Sequence, residues 1–146
     1  MKQQTCTRLL GCVLLSILLM TVCSMASPLF PLHTGVDQNC FLTVGKAMLS
    51  GTVPYRDLYE QKGPLLYGLH ALAAWMDSNG FFGVYLLEIL NLTWMLWLYC
   101  KIAGLFLPER LHFPAAALSG FVTVTAYCFS RGDNAEEFCL PLVLYG

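Results

Sequence analysis

The feature that most limits what this chain can become is a set of long runs without charge. Leu9 to Ala26 and Phe113 to Phe129 carry none, and Phe81 to Cys100 carries only Glu88. A soluble domain of ordinary composition is about a quarter charged. In this chain the charged share is 12%, against 57% hydrophobic residues. Runs approaching about 20 apolar residues match the roughly 30 Å hydrocarbon core of a bilayer. The expectation is an all-α integral membrane fold, with spans near 9–26, 81–100 and 113–129 and the start of a fourth at 138. A net charge of -1 excludes the basic footprint of nucleic-acid binding. The seven cysteines contain no Cys-x-x-Cys pair and read as small apolar side chains rather than a disulfide framework or metal site.

Two points decide how these runs cross. The first competes with a cleaved signal peptide, because Ser24-Met25-Ala26 offers small residues to a peptidase. It is longer than the usual core of about 7–15 residues and further spans follow, so an uncleaved first helix is expected. Leu65 to Met76 looks like a span but is too short. At about 1.5 Å per residue it reaches less than about 20 Å. Cys40, Phe41, Val44, Ala47 and Met48 predict a second short helix over about 38–50, amphipathic and closed by a left-handed Gly51. Both short helices belong at the membrane face, within an outer loop over 27–80. That arrangement puts Lys2, Arg8, Lys101 and Arg110 on the cytoplasmic side with the N-terminus, as the positive-inside rule prefers. The 27–80 and 130–137 loops then share the opposite side, where Asp37, Glu60 and the acids Asp133, Glu136 and Glu137 can converge. The apolar residues from Phe138 to Gly146 cannot cross a bilayer, so the chain reads as the N-terminal part of a larger membrane protein.

Gly51 to Pro64 is the densest polar stretch, with Arg56, Asp57, Glu60 and Lys62 inside seven residues and Tyr55 beside them. Arg56 offers a planar fork and Lys62 a point charge, both suited to an anionic phosphate. The plain alternative is a solvated loop whose charges pair weakly. Asp37 stands where a helix cap belongs and is equally placed to act as a general base. Glu88 within a span is functional by default, or else a structural hydrogen bond to a neighbouring helix.

Asp37-x-x-x-Phe41, Gly51-x-x-Pro54-Tyr55-Arg56-Asp57 and Lys62-Gly63-Pro64-Leu65-Leu66-Tyr67 together resemble the multi-span GT-C glycosyltransferases. The nearest likeness is to bacterial relatives of the protein-mannosyltransferase and aminoarabinose-transferase families. Glu88 and Asn134-x-Glu136-Glu137-Phe138 fit the same pattern. The resemblance covers about Asp37 to Pro141. It implies a bacterial plasma-membrane enzyme that moves a sugar from a polyprenyl-phosphate donor to an extracytoplasmic glycan, lipid or protein. In that reading Asp37 is the catalytic base and Arg56 and Lys62 hold the donor phosphate. Tyr55, Asp57, Glu60, Glu88, Asp133, Glu136 and Glu137 line the site. No cofactor is assigned, and a divalent metal at Glu60 is the one that the resemblance admits. Two departures from the family pattern stand out: Gln38 follows Asp37 where some members pair acids, and Gln61 separates Glu60 from Lys62. The competing reading is a non-catalytic transport or envelope-assembly protein that shares the loop architecture.

Overall fold

The computed structural model describes residues 2–30, 32, 35–59, 61–125, 129 and 132–146, with side chains from Cys6 onward. Among the described residues six α-helices follow one another: α1 (Lys2–Cys23), α2 (Val36–Leu49), α3 (Pro64–Met76), α4 (Phe82–Ala103), α5 (His112–Thr125) and α6 (Ala135–Tyr145). Among the described residues there is no strand. Two helical segments among the described residues are long and apolar enough to cross a membrane, Cys6–Cys23 within α1 and Phe82–Ala103.

These two helices pack antiparallel along a seam of small polar side chains. Ser24 bonds Glu88, Thr21 bonds Tyr85, Ser16 bonds Thr93 and the Cys12 thiol meets Cys100. From Cys12 to Ser16 to Thr21 the partners fall from Cys100 to Thr93 to Tyr85, so the register is fixed at three heights, and Ser24, just past the end of α1, turns back to Glu88. Leu19, Met20, Leu92, Met95 and Leu96 are buried around the seam. Ser24 and Ala26, the small residues that suggested a peptidase site, are also buried. The outward face of α1 carries Leu10, Leu14, Leu18 and Val22, all exposed and four residues apart. A water-soluble helix turns polar residues outward instead. A contiguous apolar stripe of this kind marks a surface meant for lipid or another chain.

Helix α5 runs back along α4, and Gly120 permits the approach. A Cβ added there would lie 2.4 Å from Leu96 Cδ2. The described helix has 14 residues, fewer than the roughly 20 of a full span. The expected span over 113–129 continues into 126–128, outside the described residues. Asn91 of α4 donates to the Glu137 carbonyl at 2.8 Å, and the Trp94 and Tyr145 rings meet at a tilt, 6.3 Å between centroids. Helix α6 therefore descends beside α4 in the same direction.

Helices α2 and α3 form a pair at the end of the molecule where α4 begins, called the upper end below. Their bounds, 36–49 and 64–76, stand beside the 38–50 and 65–76 expected from pattern. Two glycines let three backbones touch. A Cβ on Gly45 would lie 2.5 Å from the His70 carbonyl carbon, and one on Gly83 would lie 2.1 Å from the Ala73 oxygen. At the end of α2, Ser50 and Gly51 N–H groups each bond back at 3.0 Å, to Ala47 and Met48. Gly51 has φ +91, the left-handed closure expected there. Between α3 and α4, Asp77 accepts from the N–H groups of Asn79, Gly80 and Phe82, each at 3.1 Å. Burial raises its pKa, but these three donors outweigh that and hold the carboxyl below its ordinary value.

Candidate functional site

The polar loop after α2 is folded around its own charges. Asp57 receives Arg56 Nε and Nη2 and the Val53 N–H, all at 2.8 Å. The guanidinium first, then the Val53 N–H, lowers the Asp57 pKa, while the same pair raises that of Arg56. The Arg56 side chain is 69% exposed, so the pair is worth little to stability. A phosphate at Arg56 would compete with Asp57 for the same fork.

Lys62 is positioned through its main chain. Tyr55 Oη donates to the Lys62 carbonyl at 2.5 Å, and the Lys62 N–H donates to Tyr67 Oη at 3.1 Å. Tyr55 has φ 65, a left-handed conformation that a bulky residue rarely adopts. The Lys62 ammonium, left at the surface, lies 3.8 Å from Glu136 Oε1. Glu60 and Arg131 lie outside the described residues, so the metal expectation at Glu60 has no structural counterpart. Among the described residues no three His, Cys, Asp or Glu side chains form a metal-ligand group.

Beneath this rim the segment 132–137 folds inward. Gln38 Nε2 donates to the Gly132 carbonyl at 2.6 Å, and His70 Nε2 meets Asp133 Oδ1 at 2.8 Å. The Asp133 N–H donates to Glu137 Oε2 at 2.8 Å, and Ser24 donates to Glu88 at 2.5 Å. Asn134 donates to the Phe129 carbonyl. Gly132 has φ +95 and Asp133 φ 55, so the backbone turns sharply enough to aim both Asp133 and Glu137 toward Glu88. Glu88 is 0% exposed, and His70, Asp133 and Glu137 are 1% each. Three carboxyl groups and an imidazole are thus enclosed where α1, α3, α4 and α6 meet.

The hydrogen-bond pattern fixes one proton. His70 Nδ1 lies 2.8 Å from the Leu66 carbonyl, which can only accept, so Nδ1 carries hydrogen. Nε2 then either donates to the Asp133 carboxylate as imidazolium or accepts from protonated Asp133. In both forms one proton sits between the pair. Burial, then the neighbouring Asp133, pushes the Glu137 carboxyl up to about 8. Among the described residues, Glu88 Oε1, Asp133 Oδ2 and Glu137 Oε1 meet no donor.

The residues expected to line one site therefore divide. Glu88, Asp133 and Glu137 come together but are sealed, while Glu136 is at the surface with Lys62. Arg56, Asp57 and Tyr55 remain on the exposed loop. Asp37 is exposed in the first turn of α2, and the cap position is Gly35 without a side-chain bond. The capping reading of Asp37 is thereby corrected, because the helix starts two residues earlier than its pattern suggested. An aspartate in that turn still suits the helix dipole. Its neighbour Gln38, with His70, Ser24 and Asn91, was not assigned to the site from the sequence. A histidine or glutamine on an apolar helix signals a buried group in need of partners, but not which partners.

A groove of about 290 Å³ lies between α3, α4 and α6, bounded by Leu65, Leu69, Leu87, Leu90, Trp94 and Phe138. Lys62 and Glu136 stand just ahead of Leu65 and Phe138 in sequence, and neither lines the groove. Set against protein-family models, curated proteins and solved structures, the chain matches none.

Proposed function

We propose that the chain is part of a membrane glycosyltransferase that takes its sugar from a polyprenyl-phosphate donor. One observation carries this reading: an apolar groove is bounded by α3, α4 and α6, and the Lys62–Glu136 pair, 3.8 Å apart, comes just before two of its walls in sequence. An amphiphile with a phosphate and a long hydrocarbon tail has that shape and polarity. Lys62 would take the phosphate by charge-assisted hydrogen bonds, with Arg56 joining if it releases Asp57. Asp37, exposed on the neighbouring helix, would accept a proton from the acceptor hydroxyl. The acceptor oxygen then attacks the anomeric carbon, the carbon–oxygen bond to phosphate breaks, and the polyprenyl phosphate leaves with the electron pair. Cations at the leaving group lower that barrier.

The test uses protein made from its complete gene, in lipid nanodiscs, with a polyprenyl-phosphate hexose. Asp37→Asn should cut transfer by about 100-fold or more while membrane insertion is unchanged, and Lys62→Gln should weaken donor binding. Full transfer by Asp37→Asn removes that residue from the mechanism.

A second reading is favoured by the enclosure of Glu88, Asp133, Glu137 and His70. Acids that no acceptor can reach suit a structural latch in a non-catalytic transport or envelope-assembly protein. That reading expects no transfer by the complete protein and tolerance of both substitutions.

A further inference from the structure

The end of the molecule opposite the acid cluster is built differently. α1 enters there, α4 ends, and α5 begins after a 3-10 turn, Glu109–Leu111. A pocket of about 270 Å³ opens between these helices, bounded by Arg8, Trp97, Cys100, Lys101, Leu105 and His112. Arg8 Nη2 donates to Glu109 Oε1 at 2.5 Å, and its other terminal nitrogen lies 3.4 Å from His112 Nδ1. His112 Nε2 lies 2.9 Å from the Leu107 carbonyl, so Nε2 carries hydrogen and Nδ1 is free to accept from Arg8. Lys101 Nζ stands 5.7 Å above the Trp97 ring. The wall thus holds two cations, while the carboxylate that offsets Arg8 is itself 61% exposed at its side chain.

The rim of this pocket is greasy. Leu105 and Phe106 are 76% and 80% exposed, and Leu9, Leu10 and Leu111 are exposed nearby in sequence. Water-facing loops seldom present such residues together. A Trp beside cations and exposed aliphatic groups is the composition of a membrane–water interface. A free anion has no use for that rim, whereas a phospholipid has both a phosphate for the cations and chains for the leucines.

We propose that the pocket between α1, α4 and α5 binds the phosphate headgroup of an anionic phospholipid, with Arg8 and Lys101 as its cationic contacts. The inference rests on reading α1 and α4 as membrane-crossing helices, and it is independent of sugar transfer at the upper end. Clustered Lys and Arg at the end of a membrane helix attract anionic headgroups. The phosphate draws on Arg8 beside Glu109 and on Lys101 from above Trp97, and the acyl chains lie along the exposed leucines. A neutral zwitterionic lipid shares the phosphate but cancels it with its own ammonium, so selectivity should favour the anionic headgroup.

Trp97 reports on the site once Trp75 and Trp94 are replaced by Phe. In vesicles of dioleoyl phosphatidylcholine, brominated phosphatidylglycerol should quench Trp97 more strongly than brominated phosphatidylcholine at equal mole fraction. Arg8→Gln and Lys101→Gln should each reduce that preference about fivefold, whereas Arg8→Lys should retain most of it. The proposal is overturned if both lipids quench equally, or if the preference survives the double substitution. It is also overturned if inorganic phosphate at millimolar concentration abolishes the preference, which would identify a free-anion site. Absence of quenching by any brominated lipid would instead sink the membrane placement of α4 itself.

Discussion

The two ends of the helical bundle hold their charge in opposite ways. At the upper end Glu88, Asp133 and Glu137 are enclosed and answered by neutral or shared-proton partners: Ser24, a main-chain N–H and His70. At the other end Arg8, Lys101 and Glu109 stand in or beside an open pocket. Enclosed charge contributes stability only through geometry, because desolvation is costly and each missing partner is felt in full. Open charge is screened and replaceable, and so is available to a ligand. The upper cluster should therefore be brittle and the lower pocket tolerant.

Gly132→Ala tests the brittle end most severely. A Cβ there would lie 2.2 Å from Glu88 Oε1, in a backbone of φ +95. Strain and overpacking together should cost about 2–4 kcal/mol, read as a lowered thermal midpoint in detergent. A variant that melts like the parent would mean that the cluster is not closed. Next comes His70→Ala, which strips Asp133 of its shared proton and should cost about 2–3 kcal/mol. Faster hydrogen exchange at Gly132 and Asp133 should accompany it, and unchanged exchange would break the link between α3 and that segment.

Glu137 sharpens the contrast through pH. Its unfolded pKa is about 4.3, and burial with Asp133 beside it raises the folded value to about 8. The folded chain thus holds that proton more tightly than the unfolded one. Its contribution is whole below about 4.3 and is lost as pH climbs toward 8. Glu137→Gln, neutral at every pH, should flatten that decline in a series of melts. A slope identical to the parent would assign the pH dependence to other groups. The smallest effect is expected at the tolerant end, where Arg8→Gln should cost about 0.5 kcal/mol or less and lose even that in high salt. A larger loss would show that the basic pocket is structural.

Much of this architecture was legible in the sequence, and the reasons are physical. Periodicity and charge-free length marked α1 and α4, and the apolar run from Leu65 to Met76 marked α3 within a residue of its observed bounds. Gly51 announced the end of α2 because few residues adopt its backbone. The fate of individual acids was not legible. Glu136 and Glu137 are adjacent, yet one faces Lys62 at the surface and the other is sealed, because helical geometry turns neighbours about 100° apart. Arg56 looked available for phosphate, but its adjacent Asp57 takes the fork first. Asp37 looked like a cap, and Gly35 holds that position. Such outcomes depend on which surfaces meet in space, which local pattern does not encode.

Gly83 has a mechanical consequence. With α3 resting backbone-on-backbone against the first turn of α4 at Ala73, the height of the upper layer is set by the absence of a side chain. A methyl group at that point would act as a shim, lifting α3 and with it His70, α2 and the Lys62 loop as one rigid deck. Every distance between that deck and the carboxyl groups below, including the contact of His70 with Asp133, is therefore gauged by one missing carbon.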